Sequence, residues 1–493
     1  MSKPSPQLAL VVLVTLAVAL GMAFGVCTQD DAFISFRYAD NFAQGNGLVY
    51  NVGERVEGFT NLSWTVLFGL IMMVGGEPVM ASVLLGWLSI AALVVVTWRF
   101  AGALLSPWAA VVAAAFVAFD TQMILEGVEG LETVTYAVLV TMGIWTGWRD
   151  GGGAKSAGWF AVATLTRPEA PMIWGATQLA LWARDGEFTD RVKNGLKSIW
   201  PLALTLVLLT VWRLSYYGEW LPNTFYAKTG GAAVSRGLSY LMAHVLTHHV
   251  LWLGVLAALF VVARRVRALA IIAAAVCAYI VWVGGDFKPT GRFVIPVLPV
   301  LAVLAAAFLE FVWARPAIRR GLIPVAVVVF AWTRWGQYAL AETWAQERHA
   351  NLQARQLVGD WLAQNTPQDT VIAVHSAGVV PYYAGRKTID MWGLTNKEVA
   401  RTEVVGMGTG MAGHERSAPE YVFSLKPHIY LPEDKLFTLR PWRLDPEAGV
   451  SKDFAEHYRV VNVPIEGGWL NMWIRKDGPL QRLRLADGAM EPS

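Results

Sequence analysis

The sequence predicts a polytopic α-helical membrane protein that carries a soluble α/β domain toward its C-terminal end. Three observations lead there. Of 493 residues 55% are apolar and 16% charged, with 23 Trp and a mean hydropathy of +0.42, whereas an average soluble domain is roughly 25% charged. Apolar runs of span length recur as far as Leu340. From about His349 they give way to short amphipathic and β-branched stretches. This composition excludes a purely soluble enzyme and a disordered chain. A net charge of +3 is too even for a polyanion-binding surface, so no nucleic-acid partner is expected. The two cysteines, Cys27 and Cys277, each lie in an apolar run, which excludes a disulfide framework and a CxxC zinc site.

Gln7–Cys27 is apolar over about 20 residues, enough to cross roughly 30 Å of hydrocarbon. Lys3 precedes it, Asp30–Asp31 follow, and no small-x-small cleavage site ends it, so it reads as an uncleaved first span. Further runs occupy Val79–Trp98, Leu104–Phe119, Leu131–Trp148, Ile199–Tyr216, Tyr240–Ala263, Ala268–Val283, Phe293–Trp313 and Leu322–Leu340. Leu62–Val74 is short for a span and is placed at the interface. Gly158–Trp182 is broken at Thr166-Arg167-Pro168-Glu169 and is placed as a hairpin. Those choices put Lys3, Arg99, Arg149, Lys155, Arg184, Arg191, Lys193, Lys197, Arg264, Arg265, Arg267, Arg315, Arg319 and Arg320 on one side, the cytoplasmic one.

The expectation is therefore about eleven transmembrane helices in a domain of residues 1–345 and an extracytoplasmic α/β domain of residues 346–493, in a cell (inner) membrane. The first outer loop is residues 28–61. In the second domain, Gln353–Gln364 has a helical pattern. Strand patterns fall at Thr370–Val374, Lys387–Met391, His428–Leu431, Tyr458–Val463 and Leu470–Arg475, and Asp477–Ser493 reads as a charged tail.

Polar residues gather in the loops of the outer side. The first loop holds Asp30, Asp31, Arg37, Glu54, Arg55, Glu57 and Asn61, with an amphipathic pattern over Phe33–Phe42. Adjacent carboxylates just beyond a span suit a general base beside a positioning group, although an aspartate there also suits a helix N-cap. Glu126, Glu129 and Glu132 follow at intervals of three, which puts Glu129 and Glu132 on one face if a helix starts there. Arg167 and Glu169 interrupt an apolar hairpin, where charge is costly and usually faces a cavity. Tyr217, Asn223, Tyr226 and Lys228 mix aromatic with hydrogen-bonding groups, as sugar rings require. Asp286 and Arg292 lie in a glycine turn. Arg37, Arg55, Arg167, Lys228 and Arg292 are the candidate clamps for a phosphate. Together these suggest glycosyl transfer from a lipid-borne phosphate sugar.

Weaker signals are His244, His248 and His249, which can line a polar cavity or hold a metal. Gly408–Gly413 formally matches GxGxxG, and His375 ends a strand pattern, where it can meet an acceptor.

Gln29-Asp30-Asp31-Ala32-Phe33-Ile34-Ser35-Phe36-Arg37-Tyr38, with Gly53-Glu54-Arg55-Val56-Glu57-Gly58-Phe59-Thr60-Asn61, resembles the first-loop signature of the GT-C membrane glycosyltransferases. Within them it is most similar to the terminal arabinofuranosyltransferase and pilin arabinosyltransferase branch. Thr166-Arg167-Pro168-Glu169, Pro222-Asn223-Thr224, Gly284-Gly285-Asp286 and Ile389-Asp390-Met391-Trp392-Gly393-Leu394 extend the resemblance over most of the chain. It implies a GT-C-like fold, a polyprenyl-phosphate donor, inversion, and a catalytic aspartate mapping to Asp30 or Asp31. Asp31 is the preferred base, with Asp30 positioning. The sugar is then arabinofuranose or another pentose, and the acceptor a cell-envelope glycan, lipid or protein. Some members bind a divalent metal and others do not, so the metal stays open. The rival class is a polytopic transporter or flippase of a lipid-linked sugar. It calls for mid-membrane ionisable groups and two related halves, and neither is evident here.

Overall fold

The computed structural model describes residues 5–185, 188–229, 233–288, 291–404, 406–442 and 452–480. Lys3, residues 289–290 of the Gly284–Arg292 turn and the tail beyond residue 480 lie outside them, and the side chain of Arg191 is not described.

Among the described residues five helices are long and apolar enough to cross a membrane, and three bent helix pairs raise that to eight. The first helix, Pro6–Phe24, starts at Ser5, whose Oγ accepts from the Leu8 amide at 3.1 Å. Pro78–Gly102 starts at Glu77, whose carboxylate accepts from the Val79 and Met80 amides. These caps satisfy amides that a helix start leaves without partners. Leu298–Trp313 is apolar except for Glu310, and its first ten residues are all buried. It is a central helix of the bundle, as such a pattern requires.

The short apolar helix Leu62–Met73 is about 18 Å long at 1.5 Å per residue. It packs across the first-loop helix Asp30–Ala43, with the Phe36 and Phe68 rings 4.9 Å apart. The Gly158–Trp182 run divides into Ala154–Thr166 and Ala170–Asp185, the break falling at Arg167–Glu169.

Two expectations are corrected. The Tyr240–Ala263 run is not one straight span: Val234–Thr247 and His249–Val261 meet at 96°. At the bend, buried His248 pairs with Asp120 at 2.9 Å and stacks on His244. Glu129 and Glu132 share no helix face, because the next helix begins at Thr133 with Glu132 as its cap residue. The two carboxylates turn to different cations.

The last apolar run and the Gln353–Gln364 pattern form one helix of 50 residues, Pro316–Asn365. It carries the chain from the bundle into a six-stranded sheet. The strands are β1 (Val371–Val374), β2 (Lys387–Asp390), β3 (Ile429–Tyr430), β4 (Phe437–Thr438), β5 (Tyr458–Ile465) and β6 (Gly468–Arg475), and their order is β2-β1-β3-β6-β4, with β5 also on β6. β1 runs parallel to β2 and β3, and β6 antiparallel to its neighbours. Five of the six lie where a strand was expected, and the two-residue β4 was not foreseen. The sheet's core is continuous with the first loop: Ile34, Tyr38, Tyr50 and Phe59 pack in one cluster with Val358, Ile372, Val461 and Met472.

Candidate functional site

The first-loop helix begins at Asp30, so both aspartates lie in its first turn, where the helix dipole favours negative charge. Their surroundings differ. The Asp30 oxygens accept from the Gly378 and Val379 amides, each at 2.9 Å, and Arg355 lies 3.7 Å away. Arg355 also pairs with Glu433, which accepts from the Ser376 hydroxyl at 2.8 Å. Gly378 has no room for a side chain, since a Cβ there would lie 1.9 Å from the Asp30 carbonyl oxygen. Burial raises the Asp30 pKa against the pull of Arg355 and the Val379 amide. Asp30 thus ties the loop to the turn after β1.

Asp31 has no hydrogen-bond or ion-pair partner among the described residues. It lines a cavity of about 210 Å³ with Thr28, Arg348, Asn351, Trp392 and His414. Close to it is a cluster of cations. Lys228 ends the short helix Asn223–Lys228. Desolvation lowers its pKa; Asp31 and Asp286 oppose the shift, and Arg292 and Arg167 add to it. Lys228 also has no hydrogen-bond or ion-pair partner among the described residues. Arg167 and Arg292 each lie 5.6 Å from the centre of the Phe293 ring. Arg167 pairs with Glu132 at 2.9 Å and Glu169 at 2.6 Å, and Arg292 with Asp286. Below the loop, Lys288 pairs with Glu126 at 2.8 Å and with Glu129, which also meets Arg348. The Gln29 amide donates to the Glu129 carbonyl at 3.0 Å.

The other sequence candidates hold the loop and the C-terminal domain together. Arg37 donates to the carbonyls of Tyr50, Pro381 and Arg386 and to Asn51. Glu54 pairs with Lys387, and Glu57 with Arg213. Arg55 lies over the Tyr216 ring. Asn61 bridges Ser35 and Glu132. Tyr217 donates to the Leu48 carbonyl, and Asn223 to those of Gly393 and Leu394. Tyr226 carries Arg401 over its ring. His375 has a buried, unpartnered Nδ1 and lies 5.5 Å from the Trp392 ring; burial lowers its pKa.

The sequence did not single out Arg348, Asn351, Arg355 or His414, and it offered Glu433 only as the acid about 20 residues beyond the glycine motif. The first three repeat at helical intervals, which is a signal only once the helix is known to run unbroken through them. The Gly408–Gly413 stretch wraps a carboxylate: the Gly408 and Gly410 amides donate to Glu415. Among the described residues no three His, Cys, Asp or Glu side chains gather as a metal-holding group.

The family described as a domain of unknown function (DUF8728) matches residues 341–479. A search of curated proteins found no match. Among solved structures, ArnT from Cupriavidus metallidurans in the apo state aligns with a TM-score of 0.59 at 14% identity, over 94% of this chain and 97% of that one. The same protein bound to undecaprenyl phosphate aligns with a TM-score of 0.58 at 15% identity, with the same coverage. An Archaeoglobus fulgidus oligosaccharyltransferase tethered with an acceptor peptide aligns at 0.47 and 14% identity, over 77% of this chain and 64% of its own. At such identities the ArnT likeness is one of fold: this chain shares the polytopic helical fold of ArnT.

Proposed function

We propose that the chain is an inverting membrane glycosyltransferase. It moves a sugar, arabinofuranose or another pentose, from a polyprenyl-phosphate donor to an acceptor hydroxyl on the extracytoplasmic face of the cell membrane. The observation that carries this is the contrast between two neighbours. Asp30 is engaged by two backbone amides, while Asp31 faces a cavity unpaired, with Lys228, Arg292 and Arg167 close by. An unpaired carboxylate at a cavity wall is available as a base, and a cation cluster stabilises a departing phosphate. That ArnT, which shares this fold, is seen with undecaprenyl phosphate supports a lipid phosphate as the leaving group.

Asp31 takes the proton of the acceptor hydroxyl. That oxygen bonds to the anomeric carbon, from which the phosphate oxygen departs with the bonding pair, and the polyprenyl phosphate leaves toward Lys228, Arg292 and Arg167. A transporter reading has no such observation behind it, because the unpaired charges gather at one end of the bundle.

The test is Asp31→Asn beside Asp30→Asn, assayed with a radiolabelled polyprenyl-phosphate pentose. Losing the base should cost about 10²–10⁴-fold in transfer. Asp30→Asn keeps one acceptor oxygen and is expected to retain measurable transfer with a lower Tm. Full transfer by Asp31→Asn would end the assignment.

A further inference from the structure

The helix Phe188–Ser198 takes no part in the site. It lies among the turns that carry the basic residues, just ahead of the apolar helix Trp200–Tyr217. Its last part, Val192–Ser198, meets that helix at 49°, so it runs oblique to the span instead of extending it. One side of it is fastened to the protein. Ser198 donates from Oγ to the Gly152 carbonyl at 2.8 Å, and Gly195 and Ser198 are both buried.

At about 100° per residue the other positions sort into sectors. Val192 and Leu196, one turn apart, form an exposed apolar stripe, and Trp200 continues it; Leu196 is 70% and Trp200 60% exposed. Lys193 and Lys197 lie on the edge of that stripe away from the buried Gly195 and Ser198, and both are exposed. Asn194, also exposed, lies opposite the stripe. The stripe does not stop at the bend. In steps of three and four it runs on through the exposed Leu204, Val207 and Val211 of the next helix. An apolar stripe continuous with the outer face of a span is covered by the same medium, which is hydrocarbon.

The lysines are not neutralised by the protein. Lys193 pairs with Asp190 at 3.9 Å, with side chains 65% and 69% exposed, an arrangement worth little. Lys197 has no hydrogen-bond or ion-pair partner among the described residues. The acids of the adjoining turns are taken, Asp150 by Arg149 at 2.7 Å and Asp185 by Arg184 at 2.6 Å. Lys155, three residues beyond the Gly152 that Ser198 holds, is exposed as well. The patch therefore presents positive charge beside an apolar stripe.

We infer that this helix is an interfacial element that takes anionic phospholipid. Val192, Leu196 and Trp200 lie among the acyl chains, Lys193 and Lys197 meet the headgroups, and Asn194 faces water. Tryptophan at the boundary and lysines beside the apolar stripe suit that position. A zwitterionic headgroup carries its own counter-charge, whereas an anionic one leaves its phosphate for the lysines. Each lysine near such a surface favours it by about fivefold (roughly 1 kcal/mol).

The test involves no turnover, so it stands or falls apart from the transferase reading. Leu196→Cys, in a Cys27→Ala, Cys277→Ala background, carries an environment-sensitive fluorophore, and the full-length protein is placed in nanodiscs. Brominated phosphatidylglycerol in a phosphatidylcholine host is compared with brominated phosphatidylcholine in a phosphatidylglycerol host. Bromine on the acyl chains should quench the label, and phosphatidylglycerol should be preferred by about fivefold or more. Lys193→Gln with Lys197→Gln should cut that preference about fivefold or more. The same label at Leu208→Cys, exposed on the next helix, should be quenched alike by both lipids, and at Asn194→Cys by neither. Tm values and elution as one species show that each variant is folded, and the labels beside native lysines carry the test if the double lysine variant is not. The inference is overturned if Leu208→Cys is quenched and Leu196→Cys is not, which would mean that water or another protein covers the stripe. It is overturned equally if the two lipids quench Leu196→Cys alike, or if the folded double lysine variant keeps the wild-type preference.

Discussion

Asp30 and Asp31 are chemically identical and adjacent, yet the fold gives them opposite surroundings. A helix turns by about 100° per residue, so neighbours point at different partners. The sequence shows both as candidates, but the difference comes from the Gly378 and Val379 amides, which fold in from a distant part of the chain. His414 was invisible for the same reason, because its neighbours in sequence say nothing of Trp392 and Phe287. Burial lowers its pKa below 6.5 against the attraction of Asp31. A histidine depressed in the folded state contributes stability that is complete above pH 6.5 and is lost as pH falls through the depressed value. Glu433 is different: burial raises its pKa, but Arg355 and Ser376 outweigh that and hold it below 4.5, so its loss comes only at more acid pH. His414→Gln, which cannot take the charge, is expected to flatten the fall in Tm as the pH drops below 6.5. An acid slope equal to that of the wild type would show that another group carries the effect.

The 50-residue helix Pro316–Asn365 shows which elements the sequence can and cannot declare. Its two ends were legible, one as an apolar run and one as an amphipathic pattern. The polar stretch between them, with Glu342, Glu347, Arg348 and Asn351, holds the expected domain boundary at 345/346. In the fold it is helix, and one stripe runs through it: Arg334, Gln337, Ala341, Ala345, Arg348, Leu352, Arg355, Gly359, Leu362. Seven of the nine are buried outright, and the Arg348 and Arg355 side chains are 14% and 19% exposed. Steps of three and four keep such a stripe on one side of a helix. The bend at His248 escaped notice because uniform apolarity has no mark for a turn. Its partner, Asp120, sits at another bend far back in the chain. The stripe makes register a measurable property. One alanine inserted between Ala345 and Gln346 turns Arg348, Asn351 and Arg355 by about 100° relative to the bundle. It should abolish transfer while the protein still inserts and elutes as one species. The same insertion between Gly321 and Leu322 precedes the stripe, on a face with nothing packed against Gly321, and should be tolerated. Equal activity of the two insertions would deny that the helix sets the cavity.

At the scale of the whole molecule, the site is assembled at one end of the bundle and the basic turns at the other. Arg184 donates to the Trp148 carbonyl and Arg264 to that of Ala183, both at 2.6 Å, and Ser198 donates to Gly152 at 2.8 Å. These bonds draw together the turns that hold Arg149, Lys155, Arg184 and Arg264. The opposite ends of these helices carry Glu132 and Arg167, tied to each other at 2.9 Å, and Thr166, tied to Ser63 of the helix Leu62–Met73 at 2.9 Å. Lys and Arg bias sets orientation, with the basic end cytoplasmic. On the proposed function the first loop and the sheet domain are then expected to face outward, where a polyprenyl-phosphate donor and an envelope acceptor would meet. Single cysteines check this in a Cys27→Ala, Cys277→Ala background. Glu54→Cys and Leu439→Cys, on the loop and the sheet domain, should react with a membrane-impermeant maleimide in intact cells. Lys155→Cys and Arg320→Cys should react only after the membrane is opened. The reverse pattern would put the cavity in the cytoplasm, where a soluble nucleotide sugar is the available donor, and the lipid-phosphate reading would have to be given up.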